Sequence, residues 1–340
     1  MPRVLVVNAG STSLKVSTVD EQDASERIAS LDAVPGDIAA VAHRVVHGGD
    51  RFREPVVIDE DVMAELERLG ELAPLHNAAA LRGIHEARAA APDVPHVGVF
   101  DTAFHATIPP EAATYAVPAR WRREWGIRRY GFHGLSVQWA AERVQVSRLV
   151  ACHLGGGCSV TAVRGGRSVD TTMGFSPLEG VPMATRSGSI DPEIVLHLLR
   201  AGLASAEEIE DALEHESGLL GLSGVATRVD EITAAGGPDA RLALDVFAHR
   251  IAGAVAACAV AAGGLDALVF TGGIGEGSPS TRSDVCGRLA FLGVELDARA
   301  NETAEPDAVI SADTSRVAVH AVCTREEVVA ARAARDILGL

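Results

Sequence analysis

Short apolar runs alternate with glycine turns and alanine-rich amphipathic stretches along the whole chain, with no linker and no low-complexity tract. That rhythm predicts an α/β protein. Val4-Leu5-Val6-Val7 reads as a strand that enters a turn at Asn8-Ala9-Gly10-Ser11-Thr12-Ser13 and re-emerges as Leu14-Lys15-Val16-Ser17. The pattern returns at Leu149 to Cys152, through His153-Leu154-Gly155-Gly156-Gly157-Cys158-Ser159, into Val160 to Val163 and a predicted turn at Arg164-Gly165-Gly166-Arg167. Two halves therefore each begin with a glycine-rich hairpin. Val97 to Thr102 and Ala267 to Gly272, both apolar strands ending in a polar turn, look like a second echo of one half in the other. The stretch from about Leu242 to Ala262 is apolar but interrupted by Asp245, His249 and Arg250, which predicts a core helix rather than a membrane span.

Composition narrows the function. With 340 residues and 47% hydrophobic content the chain can fill about two domain cores. Its 46 acidic against 30 basic residues, a formal charge of −16, oppose binding to nucleic acid or an anionic membrane. Small anions must be attracted locally instead. Five cysteines without metal-ligand spacing, and a start (MPRVLVV) unlike a signal peptide, lead us to expect a reducing cytoplasm.

The local attractors are legible. Arg44 in His43-Arg44-Val45-Val46-His47-Gly48-Gly49 and Arg186 in Ala184-Thr185-Arg186-Ser187-Gly188 sit among small or apolar neighbours, where a ligand can approach closely. Three glycine loops, at 8–13, 153–159 and 271–277, offer backbone N–H groups to phosphate oxygens. His43 and His47 fall on one strand face, too far apart to act as a helical metal pair.

The ordered series Asn8 to Lys15, His43 to Gly49, Ala73-Pro74-Leu75-His76-Asn77, Phe100 to His105, Arg129 to Gly134, Asp170 to Pro192, Ser217 to Gly221 and Phe270 to Glu276 resembles the acetokinase family. That family lies within the larger superfamily of sugar kinases, actin and heat-shock ATPases. The resemblance implies two similar actin-like ATPase (ribonuclease H-like) domains with an interdomain cleft, the first formed by residues 1–104 and 327–340, the second by 105–326. It implies reversible transfer of the ATP γ-phosphate to acetate, giving acetyl phosphate and ADP. By the same resemblance Asp101, Arg44, Arg186, His133 and His76 are the catalytic set, and Val46, Leu75, Phe132 and Pro177 join Arg44 in binding the acetyl group. Lys15, His153, Gly155, Gly156, Gly157, Gly272, Gly273, Ile274, Gly275 and Glu276 are the expected nucleotide contacts. Asn8 and Glu326 are expected to hold Mg2+, with Mn2+ as a substitute, and a homodimer is expected through the second domain. A propionate or other short-chain carboxylate kinase, and a non-catalytic nucleotide-binding relative, are the alternatives.

Several positions depart from the family pattern. Gly156, Gly277 and Arg325 stand where asparagine is usual, Val137 replaces a histidine, Ser189 an aspartate and Ala78 a proline, and the stretch between Lys15 and Ala42 is short. One lost buried hydrogen bond would weaken nucleotide binding roughly 10- to 100-fold.

Overall fold

The computed structural model describes residues 3–9, 14–72 and 74–340, without the side chains of residues 71–76. It contains two compact units: Met1–Ala106 with Phe132–Trp139 and Arg325–Leu340, and Thr107–Gly131 with Ala140–Thr324.

The first unit holds a six-stranded sheet of β1 (Arg3–Ala9), β2 (Leu14–Val19), β3 (Ser25–Ile28), β4 (Ile38–Val45), β5 (Val56–Val57) and β6 (His96–Phe100), in the order β3-β2-β1-β4-β6-β5. β1, β2 and β3 form an antiparallel meander, β1, β4 and β6 run parallel, and β5 closes the edge antiparallel to β6. Helices Glu60–Leu72 and Pro74–Ala90 connect β5 to β6. One core joins Phe52, Leu66, Ile84 and Phe100, another joins Leu5, Val7, Val41 and Ala87, and helix Glu326–Leu338 packs on β1, β2, β4 and β6.

The second unit repeats this topology. Its strands are β7 (Arg148–Leu154), β8 (Cys158–Arg164), β9 (Arg167–Thr171), β10 (Ala267–Thr271), β11 (Ala308–Val309) and β12 (Ala318–Ala321), in the order β11-β12-β10-β7-β8-β9. Strand directions match one for one. The duplication is therefore real, but the second sequence echo was misaligned: the counterpart of β10 is β4, and the counterpart of β6 is β12. Strands buried on both faces all read as unbroken apolar runs, so periodicity cannot say which repeat position each one fills. The turn between β8 and β9 forms at Gly165 and Gly166, both with positive φ, as a two-residue hairpin needs.

Helix Gly237–Ala262 is long and apolar enough to cross a membrane, yet Ala243, Phe247, Ile251, Val255, Cys258 and Ala262 are buried against the second sheet. Their three- and four-residue spacing is that of one helix face, and the segment is a core helix.

The first unit also buries three histidines. His96 Nε2 donates to the Ala91 carbonyl (3.0 Å), so its Nδ1 accepts from His43 Nε2 at 2.8 Å. His105 Nε2 donates to the Phe132 carbonyl at 2.8 Å. Burial holds His43 down to about 3, His105 to about 4 and His96 below its ordinary value. Below pH 6.5 the unfolded chain binds protons that these folded side chains refuse. Stability should therefore fall as pH drops from about 6.5 towards 4, by up to about 1.4 kcal/mol per pH unit for each such group. Urea midpoints at pH 7 and pH 5 measure this. His105→Gln, which keeps a donor for Phe132, should flatten the dependence, and an unchanged slope would remove His105 from the account.

Candidate active site

Strand pairing sets the cluster in the first unit. β1 and β4 run parallel with Asn8 opposite Arg44, and the Asp101 N–H, just past β6, donates to the Val45 carbonyl at the end of β4 (3.0 Å). Three neighbouring strand ends thus converge. The Arg44 guanidinium donates twice to Asp101, Nε to Oδ1 at 3.1 Å and Nη2 to Oδ2 at 2.5 Å, and its Nη1 donates to Asn8 Oδ1 at 3.0 Å. Asn8 Nδ2 donates to Glu326 Oε2 at 3.3 Å, and that oxygen lies 3.6 Å from Arg44 Nε. Asp101 is fully buried, and burial pushes its carboxyl up to about 6 against the opposing pull of Arg44. Burial alone would lower the Arg44 pKa, but the Asp101 and Glu326 carboxylates hold it above its ordinary value.

His133 is anchored to the same carboxylate. It has φ +60°, rare for a non-glycine residue, and its backbone N–H bonds the Asp101 side chain while the next N–H, from Gly134, reaches the Asp101 carbonyl at 3.0 Å. A Cβ at Gly134 would stand 2.0 Å from that carbonyl oxygen. Phe132 is buried edge-on to His47, at 5.5 Å between rings. Asn77 pins the chain after β4, accepting the His47 N–H (3.1 Å) and donating to the His47 carbonyl (3.0 Å), and so places half-buried Val46. Lys15 is exposed, opposite Asn8 across the hairpin. The side chains of Leu75 and His76, and residues 10–13 of the first glycine loop, lie outside the described residues.

The second unit supplies a cavity of about 740 Å³ lined by Gly155 and Gly156 of the β7–β8 turn, by Gly273, Ile274 and Gly277 after β10, and by Thr227, Arg228 and Asp230. Only four of the predicted nucleotide contacts, Gly155, Gly156, Gly273 and Ile274, are among its lining residues. The 271–277 segment is not a loop: β10 runs directly into helix Gly272–Gly277. Gly272 has φ +77° and lies so close to Leu154 that a Cβ would meet its carbonyl at 2.8 Å, and Gly275 is buried against Phe270. Glu276 faces inward, where its Oε1 accepts from Gly272 N (2.9 Å), Thr324 N (3.0 Å) and Thr324 Oγ1 (2.9 Å). Buried Arg282 donates to the Gly275 and Glu276 carbonyls at 2.9 and 2.7 Å, and its other end is held by Asn301. Its charge complements the carbonyl end of that short helix. His153 is the penultimate residue of β7, in register with Thr271, and Pro177 is buried in the loop after β9.

Arg186 follows a loop tied to this cavity, since Ala184 N donates to the Gly156 carbonyl at 3.3 Å. Its Nε lies 2.9 Å from Glu214 Oε2. Gly156 and Gly277, two of the departures from the family pattern, have open space where a Cβ would be, so the backbone does not demand glycine at either.

Residues 29–332 match the family model for the acetokinase family. The chain belongs to the acetokinase family. It is 47% identical over 315 residues to the acetate kinase of Thermosynechococcus vestitus, across 89% of this chain and 75% of that protein. Among solved structures it is similar to a propionate kinase from Francisella tularensis (TM-score 0.91, 35% identity, 98% of this chain and 99% of that one). It is also similar to the acetate kinase of Porphyromonas gingivalis (TM-score 0.88, 34% identity, 99% and 100%). The paired six-stranded sheets are the actin-like arrangement of these acetokinases.

Sequence reasoning missed Asn77, Arg282, Thr324 and Glu214 as supports of this acetokinase site. None of the four carries a local signal, because each role depends on a partner elsewhere in the chain. Gly134→Ala should displace Asp101 and His133 together. Acyl phosphate formation should fall by about 100-fold, the cost of a misplacement near 1 Å, while ATP binding persists. Calorimetric ATP titration beside a turnover assay tests this, and normal turnover would show that the close approach is not needed.

Proposed function

We propose that this acetokinase is an acetate kinase, transferring the ATP γ-phosphate reversibly to acetate to give acetyl phosphate and ADP. The observation that carries the reading is the 47% identity to an acetate kinase over 89% of the chain, a match that spans the Arg44–Asp101 pair. In the forward direction an acetate oxygen forms a bond to the γ-phosphorus as the bond to the β,γ-bridging oxygen breaks, and ADP leaves with that electron pair. No proton transfer is required, because acetate is already ionised. The barrier is therefore mainly positioning and anion–anion repulsion.

Arg44 is assigned to the acetate carboxylate and Arg186 to the transferring phosphoryl group, each spreading developing charge. Asp101 fixes Arg44 in its bidentate geometry, His133 donates a hydrogen bond to the phosphoryl oxygens, and His76 supports it. Val46, Leu75, Phe132 and Pro177 are assigned to the acetyl methyl group. The nucleotide is assigned to the second-unit cavity, with its phosphates towards the Gly155–Gly157 turn and the segment from Gly272 to Glu276, together with His153 and Lys15. Asn8 and Glu326 lie side by side, the Asn8 amide nitrogen 3.3 Å from Glu326 Oε2, and each carries an oxygen of the kind that Mg2+, or Mn2+ in its place, prefers. Those two residues would hold it, and when bound the ion neutralises phosphate charge.

A propionate kinase is the second reading, supported by the 0.91 TM-score to the Francisella protein. One methylene is worth only about 1–3 kcal/mol in such a pocket. Hydroxylamine trapping of acyl phosphate with acetate, propionate and butyrate in parallel separates the two. We expect turnover of roughly 1–100 per second on acetate, and a strong loss in Arg44→Ala with ATP binding retained. A higher kcat/KM on propionate would move the assignment, and absence of product from folded, ATP-binding protein would sink it.

The working form is assigned as a cytoplasmic homodimer formed through the second unit. Helix Pro192–Arg200 supports this: none of its residues is buried, and Ile194, Leu196 and Leu199 are exposed together with Leu203 just beyond it. Light scattering should give twice the chain mass, and Leu203→Glu should lower it towards the monomer. A monomeric mass for the unmodified protein would discard the assignment.

A further inference from the structure

Helix Ala206–His215 is amphipathic and begins with a capping box at Ser205 and Glu208. Its acidic residues Glu207, Glu208, Glu210 and Asp211 are solvent-exposed, whereas Glu214, in the last turn, is only 8% exposed. Burying a carboxylate is costly unless it is paired. Glu214 is paired with Arg186, Oε2 to Nε at 2.9 Å, while the Arg186 Nη1 is directed at Met183 Sδ at 3.6 Å.

The backbone around the pair is laced to the same helix end. Thr185 Oγ1 donates to the Glu214 carbonyl at 2.7 Å, Ser187 N to the Leu213 carbonyl at 3.0 Å and Ser217 N to the Thr185 carbonyl at 2.9 Å. Gly218, with φ +60°, allows the chain to turn so close that a Cβ there would stand 2.2 Å from the Met183 carbonyl and 2.7 Å from that of Arg186. One segment, Leu213 to Gly218, thus seats both the main chain and the side chain of Arg186. With its Nε 2.9 Å from a buried carboxylate, the Arg186 guanidinium is placed before any ligand arrives.

We propose that Glu214 is a positioning residue for the phosphoryl transfer: through its ion pair it fixes the Arg186 guanidinium in the orientation that meets the transferring group. This rests on the assignment of Arg186 to that group. Glu214 itself touches neither substrate. Its negative charge, 2.9 Å from the guanidinium, is what Arg186 needs.

The test is steady-state acyl phosphate formation with acetate, ATP and magnesium by the full-length protein, Glu214→Ala, Glu214→Gln, Arg186→Ala and the Arg186→Ala/Glu214→Ala double variant. Urea unfolding of each runs alongside. Glu214→Ala should lower kcat about 10- to 100-fold, the range for a displaced catalytic group, with much less change in KM. Glu214→Gln, which keeps the shape of the side chain but removes its charge, should lower kcat in the same direction. The double variant should be no slower than Arg186→Ala, since residues that act as a unit are not additive.

Guanidinium ion added to Arg186→Ala should restore part of the turnover, and should restore less in the double variant, which lacks the seat. Normal kcat in Glu214→Ala, or multiplied losses in the double variant, would overturn the positioning role while leaving Arg186 assigned. Normal turnover in Arg186→Ala, or no product from the unmodified protein, would overturn the assignment and this role together. If Glu214→Ala does not fold, Glu214→Gln and the guanidinium comparison in Arg186→Ala/Glu214→Gln decide the matter by the same criteria.

Discussion

A buried carboxylate has to be paired with a cation, and in the first unit Asp101 is paired with Arg44. The carboxylate is fully buried, so its charge is tolerable only because Arg44 donates to both of its oxygens. The same residue receives the His133 N–H on its side chain and the Gly134 N–H on its carbonyl. Arg44 in turn carries Asn8, and Asn8 carries Glu326 at the start of the terminal helix. Asn8, Arg44, Asp101, His133 and Glu326, from five separate chain segments, are thus oriented by one ion pair. Loss of either partner would leave a buried charge uncompensated.

The second unit solves a related problem with backbone. Its cavity wall is largely glycine and small residues, and the side chains that matter stand behind it. Arg282 reads the carbonyls of helix Gly272–Gly277, Glu276 ties that helix to Thr324, and Glu214 holds Arg186. Phosphate oxygens can approach N–H groups closely only where no Cβ intervenes. The supporting charges must then come from outside the wall. The two units therefore share a strand order but not a chemistry: the β4 end bears Arg44, and the β10 end bears Thr271 and glycines.

Much of this was legible in the chain. Apolar runs, glycine turns and the repeated hairpin are local signals, and they located the α/β class, the duplication, the Gly165-Gly166 turn and the buried helix near residues 242–262. Arg44 and Arg186 stood out because a long cation among small neighbours is unusual, and the family resemblance marked Asn8, Asp101, His133 and Glu326, which meet at one ion pair. What failed was anything that depends on identity among similar strands. Two buried parallel strands look alike whatever their repeat position, which is why β10 was matched to β6 rather than to β4.

The supporting residues lay beyond sequence reasoning for a different reason. Nothing local distinguishes Glu214 from the four exposed acids on its own helix, Asn77 from any helical asparagine, or Thr324 from a loop threonine. Their roles exist only once a distant segment arrives to be bonded, as Thr185 to Ser187 do beside Glu214, the chain at His47 beside Asn77, and Glu276 beside Thr324. Sequence by itself determined the fold class, the duplication and which ionisable residues stand among small or apolar neighbours, because those follow from periodicity and neighbouring residue size. Tertiary structure decided which of them share a carboxylate, which glycines face a cavity and which face the core, and what holds each arginine in place, because those follow from contacts between residues far apart in the chain.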